Sequence, residues 1–441
     1  MLPGKNTLGL VNLERQEVRA NPYPFYEKLR TFDPVHWDEE LGFWVLTRYE
    51  DVSSVYYDER FSRAQGLQQG FQRLSKTDRH ISDSVYQSFS KTMFYADPPY
   101  HTQLRGLMNT AFTPRRVEQL RPYIQKIVDE LLDLVEAKGQ MDVIHDLAYP
   151  LPVMVISELL GLPANDRGQF KKWSDYLFAI LGTVRRSSHL LKRASQSLAE
   201  MTAYVTALSR ERRAHQKDDL LSALLSVAED DQQMTCPYPH QSNGRASSQS
   251  QRSAELARAP EVAASLTQEE LVANINILLS TGHETTTNLI GNGLLALIEN
   301  PNQTQKLQSQ PTLMMSAVEE MLRYDNPVQI TYRSAVEDVE MGGRLIRKGD
   351  LVNSILGAAN RDPQQFANPD QFDITRDENK HLSFGIGIHY CIGASLVRLE
   401  AEIAFSAILR RFPKLQLATQ TLEWQEHPIF RGLKSLPITI R

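Results

Sequence analysis

A mainly helical single domain with small β-sheets is the fold class this sequence predicts. Three observations predict it. Apolar residues recur at helical spacing through most of the chain beyond Ala96. Short β-type runs are confined to the N-terminal part, to a group between Gln329 and Ile355, and to the C-terminus. The 441 residues show no internal repeat and no clean linker.

Composition supports a large packed domain. With 41% hydrophobic residues, the chain can bury a large core without disulfides or metal clips. Two cysteines, Cys236 and Cys391, exclude a disulfide-stapled framework. Forty-eight basic against 53 acidic residues give a net charge of −5, which is no nucleic-acid footprint. Met1 to Arg15 has no signal-peptide pattern, and no apolar run reaches the ~18 residues of a membrane span. The expectation is a soluble, cytoplasmic monomer.

The elements follow in order. Val35–Asp38 and Phe43–Thr47, joined through acidic residues and Gly42, read as a hairpin, and Arg48–Tyr57 as a helix. Arg63–Ala96 is rich in Gln and Ser with weak periodicity, so a long functional loop is expected there. Arg121–Ala137 carries Ile124, Ile127, Val128, Leu131, Leu132 and Val135 as one stripe, closed by Gly139. Residues 151–160, 169–182, 190–213 and 219–228 also read as helices. Residues 230–265 are poor in large apolar side chains, and a flexible insertion is expected.

Thr267 and Glu270 form a capping box that opens a helix ending at Pro301. About 32 residues at ~1.5 Å each span ~48 Å, enough to cross the molecule. Its middle, Thr281-Gly282-His283-Glu284-Thr285-Thr286, places glycine and polar residues between apolar runs, and such rule-breaking marks functional sites. A helix over Thr312–Tyr324, strands at Gln329–Arg333, Val339–Met341, Leu345-Ile346 and Leu351–Ile355, a helix over Ala394–Arg411, and closing strands at Leu415–Leu417 and Pro437–Ile440 complete the reading.

Cys391 lies in a loop with glycines at −6, −4 and +2 (Gly385, Gly387 and Gly393), just before a helix. Free backbone N–H groups and the dipole at a helix start stabilise a thiolate. Phe384 is placed to lie against a planar cofactor. Three roles fit: a nucleophile, a cluster ligand, or the axial ligand of a haem. A cluster lacks further ligands, since the chain has no CxxC. A nucleophile has His389 as a possible base but leaves the polar-centred helix unexplained. A haem thiolate explains both features.

Phe384-Gly-x-Gly-x-His-x-Cys391-x-Gly393 resembles the haem-binding loop of the cytochrome P450s at each defining position. Glu320-x-x-Arg323 and Gly282-His283-Glu284-Thr285-Thr286 occur upstream in the family's order, and Asp97-Pro98-Pro99-x-His101-x-x-x-Arg105 and Arg431-Gly432-Leu433 extend the likeness over the chain. The resemblance is to the bacterial branch, nearest to hydroxylases that tailor polyketides and other secondary metabolites. It implies a P450 fold with haem b (iron protoporphyrin IX) between the central helix and the cysteine loop.

The resemblance assigns roles. Cys391 is implied as the iron ligand, with Gly282, Phe384, Gly385, Gly387 and Gly393 around the haem. His101, Arg105, Arg333 and His389 are implied on its propionates. Glu284 and Thr285 match the family's acid–alcohol pair for proton delivery to O2. Glu320 and Arg323 are implied as a structural ion pair. His283 is expected to be a helix-packing residue. Two departures stand out: Thr281 replaces the usual alanine before Gly282, and neutral Gln371 stands where the brace often has a basic residue.

The implied reaction is insertion of one oxygen atom from O2 into a C–H bond, by hydroxylation or epoxidation, of a hydrophobic small molecule such as a polyketide or macrolide, a steroid or a fatty acid. Substrate contacts are expected from the 63–95 segment, residues 176–190, Ile277, Thr281, Val328, Ile330 and Phe430. The chain leaves no room for a flavin domain, so a ferredoxin and ferredoxin reductase are implied as electron source, docking near Arg115, Arg116 and Arg398. A peroxide-driven oxidase on the same fold and a haem-binding sensor are the alternatives; an intact Glu284-Thr285 pair favours use of O2.

Overall fold

The computed structural model describes residues 8–181, 187–230, 266–427 and 429–440. The expected insertion, with Cys236, falls almost wholly outside these residues, as do residues 182–186 of the expected substrate segment.

Among the described residues, ten strands form three small sheets. They are β1 (Val35–Asp38), β2 (Phe43–Leu46), β3 (Phe61–Ser62), β4 (Gln140–Asp142), β5 (Ile330–Ala335), β6 (Val339–Met341), β7 (Arg344–Ile346), β8 (Leu351–Ile355), β9 (Leu415–Leu417) and β10 (Pro437–Ile440). The largest sheet has the order β1-β2-β8-β5-β3, with β2 and β8 parallel and the other pairs antiparallel. β4, β10 and β9 form the second sheet, and β6 pairs β7 in a hairpin.

Helices make up the rest of the core. The central one is buried on nearly every side: Leu271 to Ser280 and Thr286 to Leu297 are all buried. A helix buried all round must be enclosed by neighbours. Here Ser188–Ala214, Arg167–Ile180, Met314–Tyr324 and Ala394–Arg411 surround it.

The expected single helix is in fact two, Gln268–Thr281 and Glu284–Glu299, separated at Gly282-His283. The cause is local. Thr281 and Thr285 hydroxyls each donate to the carbonyl four residues back, at 2.8 and 3.1 Å, and such back-bonding bends helices. The predicted capping box is present, with the Glu270 amide 3.2 Å from the Thr267 hydroxyl. The helix predicted from Thr312 starts at Met314, after a short turn over Pro311–Leu313.

The expected long loop over Arg63–Ala96 is also corrected. It holds two helices, Arg63–Gln72 and Lys76–Ser90. Ser62 and Ser75 cap them, accepting from Gln65 and Asp78 amides at 2.9 and 3.1 Å. The second helix buries Ser82, Val85 and Phe89, a stripe too sparse to stand out among glutamines and serines. Among the described residues, no helix is long and apolar enough to cross a membrane.

Candidate active site

The cysteine loop is a tight turn built on two glycines. Gly385 and Gly387 have φ of +66° and +70°, a region costly for residues with a Cβ. The Cys391 amide donates to the Phe384 carbonyl at 2.9 Å, closing the turn. Burial pushes the Cys391 thiol up. Amide hydrogen bonds from Gly393 and Ala394, and the nearby guanidinium groups of Arg105 and Arg398, pull it back toward thiolate. The loop therefore presents a sulfur whose charged form is favoured by backbone donors and nearby cations and opposed by burial.

Above the sulfur lies a cavity of about 270 Å³. Cys391, Phe384, Gly385, His389 and Gly393 line it from one side, and Gly282, Thr281, Thr285 and Ile277 from the central helix. Val328, Ile330 and Phe430 line it too, so each residue expected to meet substrate is in one place. Phe178, from the segment 176–190, stacks on Phe430 with centroids 4.0 Å apart. Of the corrected 63–95 segment, Arg63 and Met93 to Tyr95 reach the cavity.

Basic groups gather at one edge of this cavity, with Asp97 as a nearby acid, held by the Ser62 hydroxyl and the Arg63 amide. His101 and His389 have ring centroids 4.3 Å apart. Arg333 is 3% exposed, with its guanidinium 4.2 Å from the Tyr56 ring centroid. Burial draws Arg333 down to about 10, while Tyr56 resists the fall and Arg63 adds to it. Burial, then Arg63 and His101, holds His389 down at about 2. Among the described residues, no carboxylate pairs with the side chains of Arg63, Arg105 or Arg333. Arg63 was not anticipated. It donates to the carbonyls of Phe94 and Tyr332 at 3.2 and 3.0 Å, and a lone arginine opening a polar segment carries no sequence signal.

Glu284 accepts from Gln425 at 2.9 Å. Thr285, next to it, faces the cavity while its hydroxyl rests on the Thr281 carbonyl. His283 is buried beside them, consistent with packing, yet its Nε2 has no hydrogen-bond partner.

Glu320 and Arg323 form a fully buried bidentate pair, with both N–O distances 2.8 Å. Gln371 contributes only its carbonyl, at 3.1 Å from Arg323. The second basic member of the brace is Arg376, 3.2 Å from Glu320, which the sequence reading missed because it lies beyond the expected position.

The three expected docking arginines differ. Arg398 is bound by Glu319 at 2.6 and 2.9 Å and lies over the Phe384 ring. Arg116 is 3.6 Å from Asp218. Arg115 is exposed and has no ion pair among the described residues. Among the described residues, acids therefore stand beside two of the three expected docking arginines, Arg116 and Arg398.

Comparison with known proteins decides the family. The sequence profile of the cytochrome P450 family matches residues 44–428. This chain belongs to the cytochrome P450 family. A biotin biosynthesis cytochrome P450 of Bacillus subtilis is 38% identical over 96% of this P450 and 97% of its own length. The cytochrome P450 monooxygenase PikC of Streptomyces venezuelae is 39% identical, over 97% and 92%. The solved structure of P450BioI with an acyl carrier protein bearing hexadec-9Z-enoic acid is 37% identical. It superposes with a TM-score of 0.81 over 97% of this P450 and 99% of that chain. The protein is thus a P450 monooxygenase with a single-domain P450 fold.

P450s use haem, a planar group with two carboxylates, and this site fits it. Both nitrogens of His101 are buried without partners. Among the described residues, no carboxylate is ion-paired with the side chains of Arg63, Arg105 or Arg333, and two propionates would supply such partners through charge-assisted hydrogen bonds. A sulfur with two backbone donors suits an iron ligand whose charge is tuned by its surroundings.

Proposed function

We propose that this P450 inserts one atom of O2 into a C–H bond of a bulky hydrophobic molecule, with electrons from a separate ferredoxin and its reductase. One observation carries the reading: Cys391 and Thr285 line a single cavity whose remaining surface is mostly apolar. Bound haem supplies the activation of dioxygen and the transfer of its oxygen atom.

In this reading Cys391 ligates the iron. His101, Arg105, Arg333 and His389, joined by Arg63, hold the propionates and so orient the ring. Glu284 passes protons inward, and the Thr285 hydroxyl positions them at the oxygen side of the cavity. Ile277, Thr281, Val328, Ile330 and Phe430 exclude water and shape the substrate. Apolar walls with few polar contacts favour a polyketide, a steroid or an acyl chain over a charged ligand. The acyl-protein complex of P450BioI supports including carrier-bound acyl chains among the candidates. The enzyme is proposed to act as a cytoplasmic monomer.

The test is turnover with a ferredoxin system under isotope-labelled dioxygen, across fatty acids, steroids and macrolactones. One labelled oxygen per product molecule supports the reading. Product formed with hydrogen peroxide only, or none by either route, overturns it.

A further inference from the structure

We propose that His283 holds a proton between Asp175 and Glu284, linking the protein surface to the acid beside Thr285. The proposal rests on the monooxygenase reading above.

His283 is 2% exposed, so water does not satisfy an unpaired ring nitrogen there and leaving it bare is costly. Its Nδ1 is 3.2 Å from the Leu279 carbonyl, which only accepts, so Nδ1 carries a hydrogen. Nε2 is then the nitrogen left over. It faces Asp175 Oδ1 at 3.6 Å and Glu284 Oε2 at 3.9 Å, and it has no hydrogen-bond partner. A bare lone pair between two carboxylates is repelled by both. A proton on Nε2 turns both contacts into attractions.

The other groups around the ring are accounted for. Lys171 lies 3.4 Å from Asp175 and draws off part of its field. Tyr149 meets His283 edge-on with centroids 5.9 Å apart. Burial, followed by Asp175 and Glu284, pushes the Tyr149 phenol up, so it stays neutral and does not compete for the proton. Gln425 fixes the other oxygen of Glu284.

The three groups differ in exposure. The Asp175 side chain is 42% exposed, Glu284 is 15% exposed, and His283 is sealed between them. Asp175 takes a proton from water and passes it to Nε2, returning to carboxylate. Nε2 passes that proton to Glu284 and returns to the neutral ring, Nδ1 keeping its hydrogen throughout. No ring flip is needed. Both gaps exceed hydrogen-bond reach, so each transfer takes one bridging water or a small side-chain shift. His283 acts through Glu284 and is a positioning residue.

The experiment compares wild type, His283→Gln and Asp175→Asn as holoenzymes, with hexadec-9Z-enoic acid as probe. Glutamine keeps the bulk and polarity but does not titrate. With electrons and dioxygen, His283→Gln should lower product per electron pair by roughly tenfold, with matching peroxide release and a larger solvent deuterium effect. Asp175→Asn, at the surface, should show the same changes more weakly, and it decides the matter if His283→Gln does not fold. With hydrogen peroxide as oxidant, protons arrive with the oxygen, so both variants should match wild type. Wild-type coupling and isotope effect in both variants would overturn the relay alone. A wild type inactive by both routes on this acid and on the steroids and macrolactones named above would overturn the monooxygenase reading and the relay with it.

Discussion

Arg323 donates to the main-chain carbonyl of Asn360 at 2.9 Å, and Asn360 in turn holds the base of the cysteine loop. The Asn360 side chain accepts from the Leu382 amide at 2.8 Å and donates to the Ser383 hydroxyl at 2.9 Å. Ser383 closes the circuit by donating to the Leu322 carbonyl at 2.7 Å. The buried ion pair is therefore two hydrogen bonds away from the loop that carries Cys391.

Arg323→Ala should consequently abolish haem incorporation. It removes the bidentate partner of buried Glu320 and leaves Arg376 as its remaining basic contact among the described residues, a loss of up to ~3–5 kcal/mol. Arg376→Ala keeps the bidentate pair and should cost less. Haem content per chain, measured by absorbance, and urea midpoints check both. A folded, haem-loaded Arg323→Ala protein would contradict the brace.

The His389 value gives a pH prediction for the cofactor-free protein. Its imidazole, held at about 2 by burial and neighbouring cations, stays neutral when folded, whereas the unfolded ring binds a proton near pH 6.5. The unfolded state then binds more protons, so stability falls as pH drops below about 6.5, by up to about 1.4 kcal/mol per pH unit. His389→Gln should flatten that part of the profile. Haem propionates should flatten it as well, by supplying the missing negative charge. Thermal melts of apo and holo protein between about pH 5 and pH 8 read this out.

Thr285→Ala removes the hydroxyl but keeps the cavity wall. Substrate-induced spectral shifts should survive, while electrons are diverted from product to peroxide several-fold. Full coupling in the variant would remove Thr285 from the proposed proton path.

Phe430 stacks on Phe178 at the substrate side of the cavity. Phe430→Ala should weaken binding of a hydrophobic ligand by ~1–3 kcal/mol, the value of a lost apolar contact surface. Spectral titration checks it, and an unchanged affinity would place the ligand elsewhere.

Much of this architecture is readable from the chain because strong local signals coincide with its elements. The strands at Val339–Met341, Leu351–Ile355 and Pro437–Ile440 and the helix Ala394–Arg411 have the predicted bounds, since alternation or periodicity changes abruptly at each end. The cysteine motif is legible because its glycines answer a local backbone need. What escaped depends on partners distant in sequence. Arg63 acquires meaning only when Tyr332 and Phe94 fold onto it. Arg376 matters only because the turn after Phe372 returns it to Glu320. His283, expected to pack, does pack, but Asp175, more than a hundred residues earlier, gives its free nitrogen a counterpart. The helices over Arg63–Gln72 and Lys76–Ser90 were hidden by composition, although Ser62 and Ser75 mark their starts.

The central claim is that Cys391 binds the haem iron as a thiolate. The carbon monoxide spectrum of the reduced protein tests it most directly, recorded for wild type and Cys391→Ala after expression with ample iron and haem precursor. Wild type should give the red-shifted band of thiolate-ligated haem, and Cys391→Ala should lose it. An imidazole-type band in the wild type, or a thiolate-type band that persists without Cys391, would contradict the account.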